Sequence, residues 1–257
     1  MIAGCPDVAC RAGRPRVSNR SATLLSVLHE DDDLLVVDKP ADLVVHPGKE
    51  GPESCLIGRA RLYLGHAEAR LVNRLDRETS GVVVMAKSRT AAGELGRLFA
   101  GGTVAKEYVA IVHGAVPPEG LVIDAPLGRD AASPVAIKDV VRADGAPART
   151  RVELVRHLTR DELRLSFVRV VPETGRKHQI RIHLAYAGYP IVGDKLYGGD
   201  ETCYLRFVER RLTDDDRRRL VLDAHALHAA TVAFTWRDRE WRFEAPLRAD
   251  MVNLLQP

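Results

Sequence analysis

No apolar run in the 257-residue chain approaches the roughly 18 residues of a membrane span, so no spanning helix is expected. The opening stretch, MIAGCPDVACRAGRPRVSNR, has no apolar core after a basic start, and no secretory signal is read there. Cysteine is scarce and scattered: Cys5, Cys10, Cys55 and Cys203 form no C-x-x-C pair. A zinc ribbon or a thioredoxin-like site is therefore without support, and free thiols in a reducing compartment are expected. Also missing are G-x-G-x-x-G, G-x-x-x-x-G-K-[ST], H-E-x-x-H and G-x-S-x-G. Dinucleotide enzymes, P-loop NTPases, zincins and α/β-hydrolases lose their sequence support with them. His225 and His228 could share a face as metal ligands, but no cysteine or carboxylate cluster accompanies them, and no metal is expected. These absences point to a cytoplasmic protein.

What is present is an ordinary globular balance, 46% hydrophobic and 28% charged, which excludes disordered, collagenous and fibrous chains. At about 150 residues per domain the length favours fewer than two domains. The net charge of +3 is too small to demand a polyanionic partner. Its distribution is more telling. Between Arg164 and Arg181 the cations Arg164, Arg169, Arg176, Lys177 and Arg181 meet the single anion Glu173. Arg11, Arg14, Arg16 and Arg20 stand against Asp7 in residues 1–22, which read as a flexible basic tail.

From Leu24 onward short apolar runs alternate with turn chemistry. LLVVDKP (34–40) reads as a strand stopped by Pro40, and LVVHPG (43–48) follows after a turn. SCLIGRARLYLG (54–65) has helical spacing closed by Gly65, and TAAGELGRLFAGG (90–102) is a second helix ending on glycines. GVVVMA (81–86) reads as a strand buried on both faces. In TVAKEYVAIVHG (103–114) a period of two places Lys106, Tyr108 and Ala110 on one face, opposite Val109 and Ile111. Further strands are expected at 162–171, 227–234 and 239–246. A helix is expected at 176–188, with Ile180, Leu184 and Ala187 apolar. The charged run 209–220 reads as an exposed helix, within a surface insertion over 200–222. The fold class is α+β: a single catalytic domain over 23–257, with a mostly antiparallel mixed sheet flanked by helices and an active-site cleft.

Three segments crowd polar and glycine residues against buried strands. NRLDRETSG (73–81) sets Asp76 in a short loop entering a buried strand, where a carboxylate can cap the turn or face a cleft. PETGRKHQIRIHLAYAGYPIVGDKLYG (172–198) could open a helix whose free N–H groups, with Arg176 and Lys177, attract a phosphate; a solvated helix is the plainer alternative. AKEYVAIVHG (105–114) puts Tyr108 beside Lys106 on one strand face, where a tyrosine is usually core or rim.

In order and spacing, these segments resemble the RluA-type RNA pseudouridine synthases. The resemblance starts at LLVVDKPADLVVHPG, runs through NRLDRETSG, KEYVAIVHG, GAPARTRVELV and TGRKHQIRIHLAYAGYPIVGDKLYG, and ends at LHAATVAF, so it covers roughly residues 24–245. It implies an isomerase that breaks the glycosidic bond of a uridine in RNA, rotates the uracil and rejoins it through carbon 5, with no cofactor, no nucleotide cofactor and no metal. It implies Asp76 as nucleophile, attacking the anomeric carbon or carbon 6, and Arg181 as the buried cation that keeps it ionised. Tyr108 matches the family's tyrosine beside the base and is a candidate for taking the carbon 5 proton. Arg74 matches the arginine that fills the stack left by a flipped nucleotide. Leu184 is expected against the uracil face, and Arg176, Lys177 and His178 at phosphates.

Asn73 stands where the family usually carries His; it keeps a donor and an acceptor but cannot be charged. About 22 residues precede Leu24, too few for the small RNA-binding domain of many relatives, so recognition of a compact rRNA or tRNA stem-loop by shape is expected. No membrane partner is expected, and the protein is expected to be a monomer. Two other classes compete. A catalytically degenerate RNA-binding protein of the same fold would not need Asp76, Tyr108 and Arg181 together. A glycosidase would need Asp76 and Glu78 as paired carboxylates about 5–10 Å apart across a sugar site.

Overall fold

The computed structural model describes residues 24–46, 51–65, 68–160 and 162–256. The basic tail expected at 1–22, with Cys5 and Cys10, lies outside them, as do residues 47–48 of the LVVHPG run. In chain order the strands are β1 (Ser26–Glu30), β2 (Leu34–Lys39), β3 (Arg70–Leu71), β4 (Ser80–Ala86), β5 (Ala105–His113), β6 (Leu121–Asp124), β7 (Leu127–Arg129), β8 (Asp139–Val141), β9 (Arg149–Arg160), β10 (Leu163–Pro172), β11 (Leu227–Trp236) and β12 (Arg239–Glu244). The helices are α1 (Leu56–Leu64), α2 (Arg89–Ala100), α3 (Gln179–Tyr186), α4 (Thr202–Val208), α5 (Asp214–Leu220) and α6 (Ala249–Leu255).

Ten strands join one sheet in the order β1-β2-β4-β11-β5-β10-β9-β6, with β12 on β11 and β3 on β4; β7 and β8 pair separately. Among these pairings only β4 with β11 is parallel, over His228↔Ser80 and Ala229↔Gly81. The sheet is thus mostly antiparallel and mixed, as the alternating runs suggested.

The apolar runs of β2 and β4 serve two cores at once, because successive side chains leave opposite faces. Leu35, Val37, Val83 and Met85 pack against Leu56, Ile57 and Ala60 of α1. Leu34, Val36, Val82 and Val84 pack against Ala91 and Leu95 of α2 and the aromatic hairpin of β11 and β12. A third core joins β5, β10, α3 and α6 through Ile111, Val168, Leu184 and Met251. The helix ends follow local chemistry: the Ser88 hydroxyl accepts from the Ala91 amide at the start of α2, and Gly65 takes the left-handed turn that closes α1.

Two expectations change. The helix expected at 176–188 spans only Gln179–Tyr186, preceded by a turn in which His178 holds φ 55°. The Gln179 side chain explains the late start: its Oε1 accepts from the Thr174 hydroxyl (2.7 Å) and the Arg176 amide (3.0 Å), and its Nε2 donates to Arg149 O (2.9 Å). That amide group makes for the turn the bonds a further helical turn would have made. The 200–222 stretch forms α4 and α5 and is surface on one side only. Cys203 is buried, and Tyr204 and Leu205 pack on a small core with Leu196 and Tyr197.

Registers place Lys39, Gly81, Ala229, Tyr108 and Val170 in one row across five strands. Gly81 holds φ 109°, and a Cβ there would lie 2.2 Å from the Ala229 carbonyl oxygen. Only glycine lets β4 close on β11, and this approach carries the preceding loop to the side of Tyr108.

Candidate active site

The loop before β4 is gripped residue by residue. Thr79 Oγ1 lies 2.8 Å from His225 Nε2 and Ser80 Oγ 2.9 Å from His228 Nδ1, so both hydroxyls fasten the loop to the start of β11. These two histidines thus hold hydroxyls, and among the described residues no group of three or more His, Cys, Asp or Glu could hold a metal ion. Lys39, fully buried, donates to Pro40 O, Leu43 O and Arg77 O at 2.7–2.9 Å. Burial draws its pKa down to about 7, but only the ammonium form has a hydrogen for each of three carbonyls. Asn73 behaves as a short extension of the sheet: its Oδ1 accepts from Val84 N at 2.8 Å and its Nδ2 donates to Val82 O at 3.3 Å.

The turn at 76–79 is closed by backbone, Thr79 N to Asp76 O at 3.2 Å. The Asp76 carboxylate is therefore free of the capping role and points into a cleft. Arg181 Nη1 donates to its Oδ2 at 3.0 Å, and His178 Nε2 stands 3.9 Å from its Oδ1. Arg181 is itself fixed from behind: Nε and Nη2 donate to Asp194 at 2.7 and 2.9 Å, a bidentate pair, and its guanidinium carbon lies 5.0 Å over the Tyr197 ring. Asp194 also accepts from the amides of Leu196 and Tyr197.

This arrangement sets the charges. Burial pushes the Asp76 carboxyl up, but Arg181 together with His178 and His225 holds it below the usual carboxylate range. Asp194 is held far below by the same guanidinium, against the strong upward pull of its burial. Burial, then Asp76, pushes the Tyr108 phenol well above 10. Burial pulls the His178 imidazole down, with Asp76 opposing.

The cleft, of about 550 Å³, lies at the seam between the cores and is walled by Val45, Phe99, Lys106, Tyr108, Ile180 and Leu227. Of the residues singled out in the sequence, Asp76, Arg181, Tyr108, Arg74, Arg176, Lys177 and His178 all line it. Leu184 does not. It is wholly buried in the core of β5, β10 and α3, and the apolar walls come instead from Ile180, one turn earlier, and Leu227. His178 is a poor fit to a phosphate, being 10% exposed, beside Asp76, with Nδ1 3.0 Å from the Tyr197 hydroxyl. The helix N-terminus expected to face a phosphate is also displaced, since α3 starts later and the Arg176 amide is taken by Gln179. Lys177, expected at a phosphate, precedes α3 and pairs with Asp139 at 2.9 Å. Arg176 reaches Pro147 O at 3.0 Å, and Arg74 is exposed at the mouth.

Sequence reasoning missed Asp194, Lys39, Gln179 and Tyr197. A signal existed for the first, in the acidic position of the GDKLYG string that follows Arg181. Glu78, weighed earlier as a second carboxylate beside Asp76, faces away from the cleft toward Lys195 Nζ at 2.6 Å. A glycosidase pair is therefore not formed.

The family model for RNA pseudouridylate synthase matches residues 33–186. The ribosomal large subunit pseudouridine synthase D of Vibrio vulnificus is 35% identical over 241 residues, 90% of this chain and 70% of that protein. An uncharacterized RNA pseudouridine synthase of Bacillus subtilis is 32% identical, covering 90% of this chain and 72% of its own length. Among solved structures, human RNA pseudouridylate synthase domain containing 4 superposes with a TM-score of 0.71 at 26% identity, covering 92% of this chain and 94% of that one.

Proposed function

Because the chain belongs to the RNA pseudouridylate synthase family, and is thus an isomerase that converts uridine in RNA to pseudouridine, we propose that Asp76 is its nucleophile and that the cleft receives a uridine turned out of folded RNA. The observation that carries this reading is the chain Asp76–Arg181–Asp194. A carboxylate kept ionised by a cation that is anchored elsewhere is ready to attack and loses no pairing energy to reorganisation. Attack at the anomeric carbon or at carbon 6 of the base detaches the uracil from the sugar through nitrogen 1. After rotation a bond forms between carbon 5 and the anomeric carbon, carbon 5 loses its proton and nitrogen 1 gains one. Asp76 is released unchanged.

Base flipping is supported by the depth at which Asp76 sits, 27% exposed behind a mouth bearing Arg74. Arg74 fills the vacated stack, and Arg176 and Lys177, which also line the cleft, meet phosphates. A phenol held protonated by burial is a weak base. Tyr108 is accordingly better suited to support the ring and donate a hydrogen bond than to take the carbon 5 proton. The relatives' names point to ribosomal RNA of the large subunit as substrate.

The test is tritium release from RNA labelled at carbon 5 of uracil, prepared from cells lacking this chain and fractionated into ribosomal and transfer RNA. Release from large-subunit RNA, abolished by Asp76→Asn while RNA affinity stays within about threefold, is expected. Release only from transfer RNA would overturn the substrate. A fully active Asp76→Asn would overturn the nucleophile.

A further inference from the structure

The loop that bears Asp76 is fastened from its other side by a second ion pair, which no step of the reaction uses. Asp76 and Glu78 sit in the one turn before β4, which leaves Asp76 in the cleft and turns Glu78 inward to Lys195. Their partners are also neighbours: Asp194 holds the Arg181 that meets Asp76, and Lys195 holds Glu78. Two parallel charged links thus join the same two short segments.

The rear link is deeply buried. Glu78 is 7% and Lys195 2% exposed, and Nζ meets Oε1 at 2.6 Å while also donating to Asp223 O at 2.6 Å. Phe207 of α4 covers it, its ring 4.6 Å from Lys195 Nζ and 5.2 Å from the guanidinium carbon of Arg77, the residue between the two carboxylates. On the remaining side His225 Nδ1 stands 3.5 Å from Glu78 Oε2 while its other nitrogen holds Thr79. A well-packed apolar pair of like volume would serve stability as well as a buried ion pair. Charged hydrogen bonds do something an apolar contact does not: they fix one geometry.

We propose that Glu78 and Lys195 are positioning residues of the isomerase: their ion pair sets the backbone of 76–78 so that the Asp76 carboxylate stands at its attacking place above the cleft. The proposal rests on the assignment of Asp76 as nucleophile. It makes the 200–222 stretch, through Phe207, part of the support of the active site. A carboxylate displaced by about 1 Å costs on the order of a hundredfold in rate while leaving the RNA-binding rim intact.

The experiment uses the full chain and the same carbon 5-tritiated RNA under single turnover, with enzyme varied to saturation. Glu78→Gln is expected to lower the saturated rate by about 10- to 100-fold, with the half-saturating enzyme concentration changed less than about twofold. Glu78→Gln/Lys195→Met leaves no lone buried charge. It is expected to recover the melting temperature of the natural chain yet remain at least about tenfold slow. Recovery of rate together with melting temperature would make the pair merely structural and overturn the proposal. So would an unchanged rate in Glu78→Gln, or a loss confined to half-saturation. If Glu78→Gln does not fold, the double variant decides alone. Asp76→Asn runs beside them: activity there shows that the nucleophile assignment has failed, which the Glu78 variants cannot imitate.

Discussion

Asp76 and Glu78 share one loop, each touches one cation, and burial pushes both carboxyls up, yet they settle on opposite sides of the usual range. Asp76 ends below it, because Arg181 prevails with two histidines in support. Glu78 ends above it: Lys195 and Arg181 do not offset its burial, and Asp194 adds a like charge. The charged neighbours make the contrast, and the Asp76 side chain is also the more accessible, 27% against 9% for Glu78. The front of the loop is electrostatically arranged for an ionised, reachable carboxylate. The rear is arranged for immobility.

The largest effect should come from breaking both sides together. Gly81→Ala drives a methyl onto the Ala229 carbonyl and separates β4 from β11, with an expected loss of about 3 kcal/mol. At about 2–4 °C per kcal/mol, calorimetry should read a melting point lower by roughly 10 °C. Arg181→Lys breaks the front alone. A lysine cannot hold Asp194 with two nitrogens and still reach Asp76, so the single-turnover rate should fall about 100-fold at near-normal RNA affinity.

Acid then separates the two sides. The folded pKa of Asp194 is depressed, so its stabilisation is complete above about pH 4 and is lost only as pH falls through that depressed value. The folded pKa of Glu78 is raised, so its ionisation removes stability as pH rises through that value, and near pH 4 the native side chain is already a neutral acid. Melting curves from pH 7 to pH 3 should show the natural chain gaining on Glu78→Gln as acid protonates Glu78, while the deficit of Asp194→Asn persists. The smallest effect is expected from Asn73→Ala, which touches neither ion pair. Losing its bonds to Val84 N and Val82 O should cost about 1 kcal/mol, measured by urea unfolding.

Cleft residues carried by contiguous strings were readable from sequence: Asp76 in NRLDRETSG, Tyr108 in KEYVAIVHG, Arg181 in RKHQIRIH. The paired apolar runs of β2 and β4 were readable too, because burial on two faces removes the alternation a one-sided strand would show. Lys39 was not. Nothing in DKP says that its ammonium will reach Arg77 O across two strands, a contact that exists only through sheet register. Leu184 was misplaced because the apolar side of a helix is not uniform along its length. Ile180 meets the cleft, and four residues later the same side is sealed in the core. The start of α3 was misread since RKHQIR has ordinary helical composition, and the decisive bonds belong to a single glutamine side chain.

The parallel contact between β4 and β11 also governs when the enzyme comes into being during synthesis. β11 lies between β4 and β5 in the sheet but more than a hundred residues after both in the chain. Asp76, Tyr108 and Arg181 are all made well before residues 227–236 arrive, and until that strand inserts there is no shared row to hold them together. Such long-range closure is slow. A nascent chain therefore carries the proposed reactive groups for a time before the strand that joins β4 to β5 is there to complete the sheet beneath the cleft.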